Sequence, residues 1–231
     1  MVGSLWLDLN GHRLSNITIS GTLYGMDSST DDYTDVNAGT LNCTIASSGQ
    51  IISHHKSDSG KRYLTVPYAD GGYGFHRFYL GITTLCVNIP ATGMGYKAIF
   101  AGSNTVKSQL SSFGYQLWAR DDRVISKHMP GESLISGRPV TLRLNNTLSP
   151  QNSIQANAEN AQTQIHARVF MQLKDGTIIN GSEHVYNFRD MIEAANNCFE
   201  GYSDEKKTAL RQFVQTYKDL MSQWDIANIL Q

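Results

Sequence analysis

The chain has 231 residues, with 19 basic side chains against 20 acidic ones and a formal net charge of −1. It therefore carries no global field to draw in a phosphate backbone or an anionic lipid surface, and nucleic acid is excluded as a first expectation. Charged residues make up 17% of the chain, and the polarity comes instead from 22 Ser, 17 Thr and 16 Asn, a neutral hydrogen-bonding profile that suits an extracellular β protein; the length allows one large domain or two small ones.

Strand and turn signals fill the first ninety residues. Trp6-Leu7-Asp8-Leu9 runs into Asn10-Gly11, a pair that accepts the positive φ angles of a type I′ hairpin. Leu14, Ile17, Ile19 and Leu23 then recur among Ser and Thr, as in a segment with one buried face. Leu41 to Ile45, Ile51-Ile52 and Tyr63 to Val66 are short apolar runs separated by Ser47-Ser48-Gly49 and by the polar Ser57–Lys61 stretch. Phe75 to Ile89 is the longest strand-like run, and Pro90 ends it.

A second β unit begins at Gly93. Tyr96, Ala98 and Phe100 alternate, Ser103-Asn104 caps a short helix bearing Val106 and Leu110, and Phe113 to Trp118 returns to strand. Val124-Ile125 and Val140 to Leu144 continue the meander. Ile165, Ala167, Val169, Met171 and Leu173 are five consecutive alternating positions, and Lys174-Asp175-Gly176-Thr177 turns the chain back antiparallel. About seven strands in about 95 residues predict an immunoglobulin- or fibronectin-III-like sandwich. From Asn187 the period becomes helical through Phe188, Met191, Ile192, Ala195, Cys198 and Phe199. Gly201 breaks that helix and Ser203 caps another, with Asp204 and Glu205 in its first turn and an apolar stripe from Leu210 to Trp224. The expected fold is thus mainly β, α+β overall: an N-terminal β subdomain over 1–90, then a sandwich over 91–231 that ends in a helical hairpin at 187–231.

Assembled catalytic motifs are missing from this sequence. No two histidines have the spacing of a helical His-Glu-x-x-His zinc site, and His54 and His55, being adjacent, point to opposite faces of a strand. Gly93-Met94-Gly95-Tyr96-Lys97-Ala98 fits a dinucleotide fingerprint only superficially, because a strand follows where a helix must start. Cys43, Cys86 and Cys198 are too few for a disulfide framework; they read as buried small hydrophobes, with a Cys43–Cys86 bridge as the alternative. No apolar stretch approaches the roughly 20 residues of a membrane-spanning helix, so membrane insertion is not expected.

Two segments carry candidate chemistry. Asp27-Ser28-Ser29-Thr30-Asp31-Asp32-Tyr33-Thr34-Asp35 gathers four carboxylates in nine residues, which reads either as a solvated loop with Asx turns or as an oxygen-ligand site for calcium built on Asp27, Asp31 and Asp32. Tyr68 to Tyr79 interleaves aromatic rings with glycines and with Asp70, His76 and Arg77. Exposed rings stack on sugar faces while polar neighbours take the hydroxyls, so Tyr68, Tyr73, His76 and Arg77 are candidate glycan ligands. Core packing of alternate residues is the other reading.

The runs Gly21 to Tyr33, Tyr73 to Thr83, Gly93 to Gly102 and Trp224-Asp225-Ile226-Ala227 resemble segments of C-terminal accessory regions in large secreted or cell-wall-associated multimodular proteins of anaerobic gut bacteria. The resemblance spans nearly the whole chain and implies export and a neighbouring domain in a longer parent chain, with no catalytic residues to carry over. The expected function is a non-catalytic accessory module that binds glycan or a partner domain. The alternatives are a structural spacer that positions a catalytic domain and a glycoside hydrolase with dispersed carboxylates.

Overall fold

The computed structural model describes residues 3–88, 93–119, 125–130, 164–187, 190, 193 and 199–216. The strand expected at Val140–Leu144, residues 188–198 of the expected first helix save two positions, Cys198 and the helical stripe beyond Thr216 lie outside the described residues. Within them the chain is mostly β, arranged in several sheets with few helices.

The N-terminal strands wind as a parallel coil. β1 (Ser4–Asp8) lies parallel to β3 (Thr22–Met26), and β3 parallel to β5 (Gln50–Ile51). β2 (Arg13–Ile19) lies parallel to β4 (Thr40–Ile45) in a different sheet. The hairpin expected at Asn10-Gly11 is therefore corrected. Both residues do take positive φ, 46° and 77°, and His12 N–H donates to Leu9 O at 2.8 Å, but the turn passes the chain from one sheet to the other instead of folding β2 back on β1. The coil places like on like: Leu5 on Leu23, Leu23 on Ile51, Leu14 on Leu41 and Ile17 on Cys43. The stack encloses a core of Leu9, Ile19, Leu23, Leu41 and Phe75, which a lone two-stranded hairpin does not provide.

An antiparallel meander of β6 (His54–Lys56), β7 (Arg62–Pro67), β8 (Tyr73–Asn88) and β9 (Gly93–Gly102) continues the sheet of β2 and β4. β8 and β9 pair from Phe78 opposite Gly102 to Asn88 opposite Gly93, so the boundary expected at 90–93 falls between two strands of one sheet. Phe75 on β8 ties the meander to the coil. Its ring lies over Gly25, where an added Cβ would come within 2.2 Å of ring atoms.

Ser103 caps α1 (Asn104–Ser108), its hydroxyl accepting from Val106 N at 3.3 Å. β10 (Leu110–Ala119), β11 (Ile125–Pro130), β12 (Ile165–Leu173), β13 (Ile178–Asn180) and β14 (His184–Tyr186) then form an antiparallel sheet in the order β11-β10-β12-β13, with β14 also on β12. The alternation along β12 is as expected: Ala167, Val169, Met171 and Leu173 are buried, and Gly176 takes positive φ in the turn after it. Gly181 sits between the two larger sheets, where a Cβ would meet Val169 at 2.8 Å and Leu80 O at 3.1 Å. The Ser203-capped helix is α2 (Asp204–Thr216), with Ser203 Oγ accepting from Lys206 N at 3.4 Å.

Candidate functional site

The acidic segment closes the corner of the coil. Asp27 is fully buried. Its Oδ1 accepts from Gly11 N at 2.9 Å, Ser29 N at 3.1 Å and Ser29 Oγ at 2.7 Å, and its Oδ2 accepts from Gly39 N at 2.6 Å. Asp31 faces the side chains of Lys61 and Arg77 and accepts from Tyr63 Oη at 3.1 Å. Asp32 accepts from Thr34 N at 3.0 Å and Thr34 Oγ1 at 2.8 Å, as in an Asx turn. Each of the three carboxylates named as calcium ligands is thus turned toward the protein's own donors. Among the described residues no three His, Cys, Asp or Glu side chains are grouped to hold a metal ion.

The aromatic-glycine segment divides between two environments. Tyr73 is half-buried against the coil core. His76 is 1% exposed, with Nε2 at 2.7 Å from Tyr68 Oη and Nδ1 at 3.2 Å from Asp35 Oδ1. Burial, helped by the charges of Asp35, Asp27 and Asp70, pushes the Tyr68 phenol up to about 12, so at neutral pH the phenol keeps its proton while it pairs with Nε2. Burial works to raise the pKa of Asp35, but hydrogen bonds from His76, Ser103 and Thr105 outweigh it and hold the carboxyl well below the usual carboxylate range. Tyr68, His76 and Asp35 form a chain of the kind that activates nucleophiles. The depth of His76 makes it an internal strut instead, and takes it out of direct reach of a ligand.

Arg77, of the four candidate glycan ligands, opens onto a cleft. This cleft, about 360 Å³, is lined by Tyr33, Lys56, Lys61, Arg62, Arg77 and Tyr79, with Ser59, Ser182 and His184 adding polar groups. Strand geometry assembles it. Successive side chains of β8 alternate, so Arg77 and Tyr79 share a face, and the phenol of Tyr79 leans over Gly81, where a Cβ would meet its oxygen at 2.8 Å. Lys56 and Arg62 are cross-strand partners on β6 and β7. Tyr33 follows the 3-10 turn at Ser28–Thr30 in a left-handed conformation, φ 62°, which brings its ring under Arg77 at 4.9 Å. Burial raises the Tyr33 phenol against the opposing pull of Arg77, so it stays neutral. Arg77 is fixed from below, Nη1 donating to Asp31 O at 2.7 Å, and Arg62 Nη1 donates to Asn180 O at 2.9 Å.

No protein-family profile, curated protein or solved structure matches this chain, so the functional reading stands on these side chains. Sequence reasoning missed Tyr33, Tyr79, Lys56, Lys61 and Arg62. For Tyr79 the signal was present, two residues from Arg77 in an alternating strand. The three cations flank the Ser57–Gly60 turn, which reads as a mere connection until β6 and β7 are seen to pair. It also missed Lys107, which is 1% exposed and lines a second cleft with Asp35 and Ser103; burial lowers its ammonium pKa against the pull of Asp35. Cys43 is a half-buried free thiol.

Proposed function

We propose that this protein is a non-catalytic accessory module of a secreted or cell-wall-associated surface protein, and that it binds glycan in the cleft between Tyr33 and Tyr79. The observation that carries the reading is that cleft: two tyrosines beside converging hydrogen-bond donors, the combination that packs on the apolar face of a pyranose while holding its hydroxyls. The neutral, hydroxyl-rich composition and the resemblance to accessory regions of gut bacterial surface proteins support it, with a neighbouring domain of the parent chain as the second partner. The burial of His76 favours a binding role over catalysis. The finer architecture belongs to the same reading: β10 to β14 as part of an immunoglobulin- or fibronectin-III-like sandwich, supported by their antiparallel order, and α2 as one member of a C-terminal helical hairpin.

A glycan array tests the reading. Wild-type protein is expected to give hits that Tyr79→Ala abolishes and that Tyr73→Ala, distant from the cleft lining, retains. An array without hits overturns the activity, and hits indifferent to Tyr79→Ala overturn the site.

A further inference from the structure

Resting on that cleft reading, we infer that the ligand is an acidic glycan, one whose pyranose rings carry a carboxylate or a sulfate. Lys56, Lys61, Arg62 and Arg77 all line the cleft, and among the described residues no carboxylate lines it. Lys61 and Arg77 share the single carboxylate of Asp31. Arg62 uses one arm on a backbone carbonyl, which leaves its charge uncompensated. Lys56 is exposed and has no ion-pair partner among the described residues. Four cations therefore face one acid in a chain whose net charge is −1, so the surplus is local to the cleft.

A neutral sugar stacked on Tyr79 would strip water from these cations and give them only hydroxyl dipoles in return. An anionic group on the ring edge receives them, and a planar guanidinium meets a carboxylate or sulfate through paired N–H donors. A nucleic acid would be served by a track of cations along a groove with bases stacked in succession. Here the charges converge on one compact cleft beside two phenols, which fits one or two sugar rings.

Titration calorimetry on the full chain, at low salt, separates the possibilities. The probes are tetragalacturonic acid, its methyl ester, a chondroitin sulfate tetrasaccharide, inorganic phosphate and a short oligo-dT. At least one acidic oligosaccharide is expected to bind about tenfold or more tightly than the uncharged ester, the sum of several exposed ion pairs, with the gap narrowing in about 0.5 M salt. Tetragalacturonate and the chondroitin probe distinguish carboxylate from sulfate. Lys56→Glu, at an exposed position, is expected to narrow the gap between acid and ester, with an unchanged melting temperature as the control for folding. Equal affinity for the acid and its ester overturns the acidic inference and leaves glycan binding standing. Tighter binding of phosphate or oligo-dT than of either sugar overturns it too. No binding of any oligosaccharide, together with a silent array, overturns both readings.

Discussion

Replacing Asp27 by asparagine changes one atom of a carboxylate that accepts four hydrogen bonds. In the better orientation the amide oxygen keeps Gly11 N, Ser29 N and Ser29 Oγ, and the new NH2 faces the Gly39 N–H, donor against donor. The alternative orientation sets the NH2 against two backbone N–H groups, Gly11 and Ser29, instead of one. Leaving one buried N–H unsatisfied costs about 1–3 kcal/mol, and the remaining bonds lose their charge assistance, so Asp27→Asn is expected to destabilise by about 2–4 kcal/mol. Asp27→Ala orphans every donor and is expected to cost about 3–5 kcal/mol, a large effect for a single substitution. Asp32→Asn is the control: that carboxylate is exposed and, among the described residues, serves only Thr34, and its loss is expected to stay within about 0.5 kcal/mol. Urea unfolding reads all three, since a slope of about 2–3 kcal/mol/M turns the Asp27→Asn loss into a midpoint shift of about 1 M. A shift below about 0.2 M for Asp27→Asn, or equal shifts for Asp27→Asn and Asp32→Asn, would show that the buried carboxylate does not hold the corner.

Three further outcomes are expected. Gly25→Ala drives a Cβ into the Phe75 ring and is expected to lower stability by about 2–3 kcal/mol; Phe75→Leu in the same chain should recover part of it, and additive losses on thermal melting would refute the contact. Asp35, whose pKa is depressed on folding, contributes stability that is fully present above about pH 4 and is lost as the pH falls toward the folded value. The stability difference between wild type and Asp35→Asn should therefore shrink on acidification below about pH 4, and a difference constant from pH 6 to about 2.5 contradicts the assignment. Tyr68→Phe removes the hydroxyl from His76 Nε2 and is expected to cost about 1 kcal/mol in urea unfolding without altering glycan binding; loss of binding would place the ligand at Tyr68 instead of in the cleft.

The strands were legible in the sequence because their signal is local. Alternation in Ile165 to Leu173, the Ser103 and Ser203 caps and the Gly176 turn are each decided within a few residues of themselves, and each stands where expected. The pairing was not legible. Asn10-Gly11 has the dihedral angles of a hairpin turn, but those angles fix only how the chain reverses, not which strand receives it. That choice depends on whether Leu14 meets Leu41 or Leu7, a contest between partners far apart in sequence that composition does not reveal. Asp27 satisfies the amides of Gly11 and Gly39 at the corners of the parallel coil, and an Asp in a Ser- and Asp-rich loop looks the same whether it is solvated or buried.

The same distinction explains the site. Arg77 stands inside a visibly unusual aromatic segment, of which only the end, Arg77 to Tyr79, lines the cleft. Phe75, Arg77 and Tyr79 share one face of the strand, Phe75 reaching the coil core and the other two, farther along, the cleft, while His76, on the opposite face, goes to the strut with Tyr68. The rest of the cleft comes from Tyr33 and from the ends of β6 and β7, segments with no aromatic or motif signal of their own. What makes them a site is convergence, and convergence depends on pairing: Lys56 lies opposite Arg62, and Tyr63, beside it, opposite Arg77. Arg62 lies opposite Phe78, so it leaves the sheet on the face away from Arg77 and Tyr79, and the cleft draws its cations from both faces at the β6–β7 end; a one-residue slip of β7 against β8 would exchange those faces and rearrange the charge cluster, though every residue in it would be unchanged. The cleft's chemistry is thus a property of strand register.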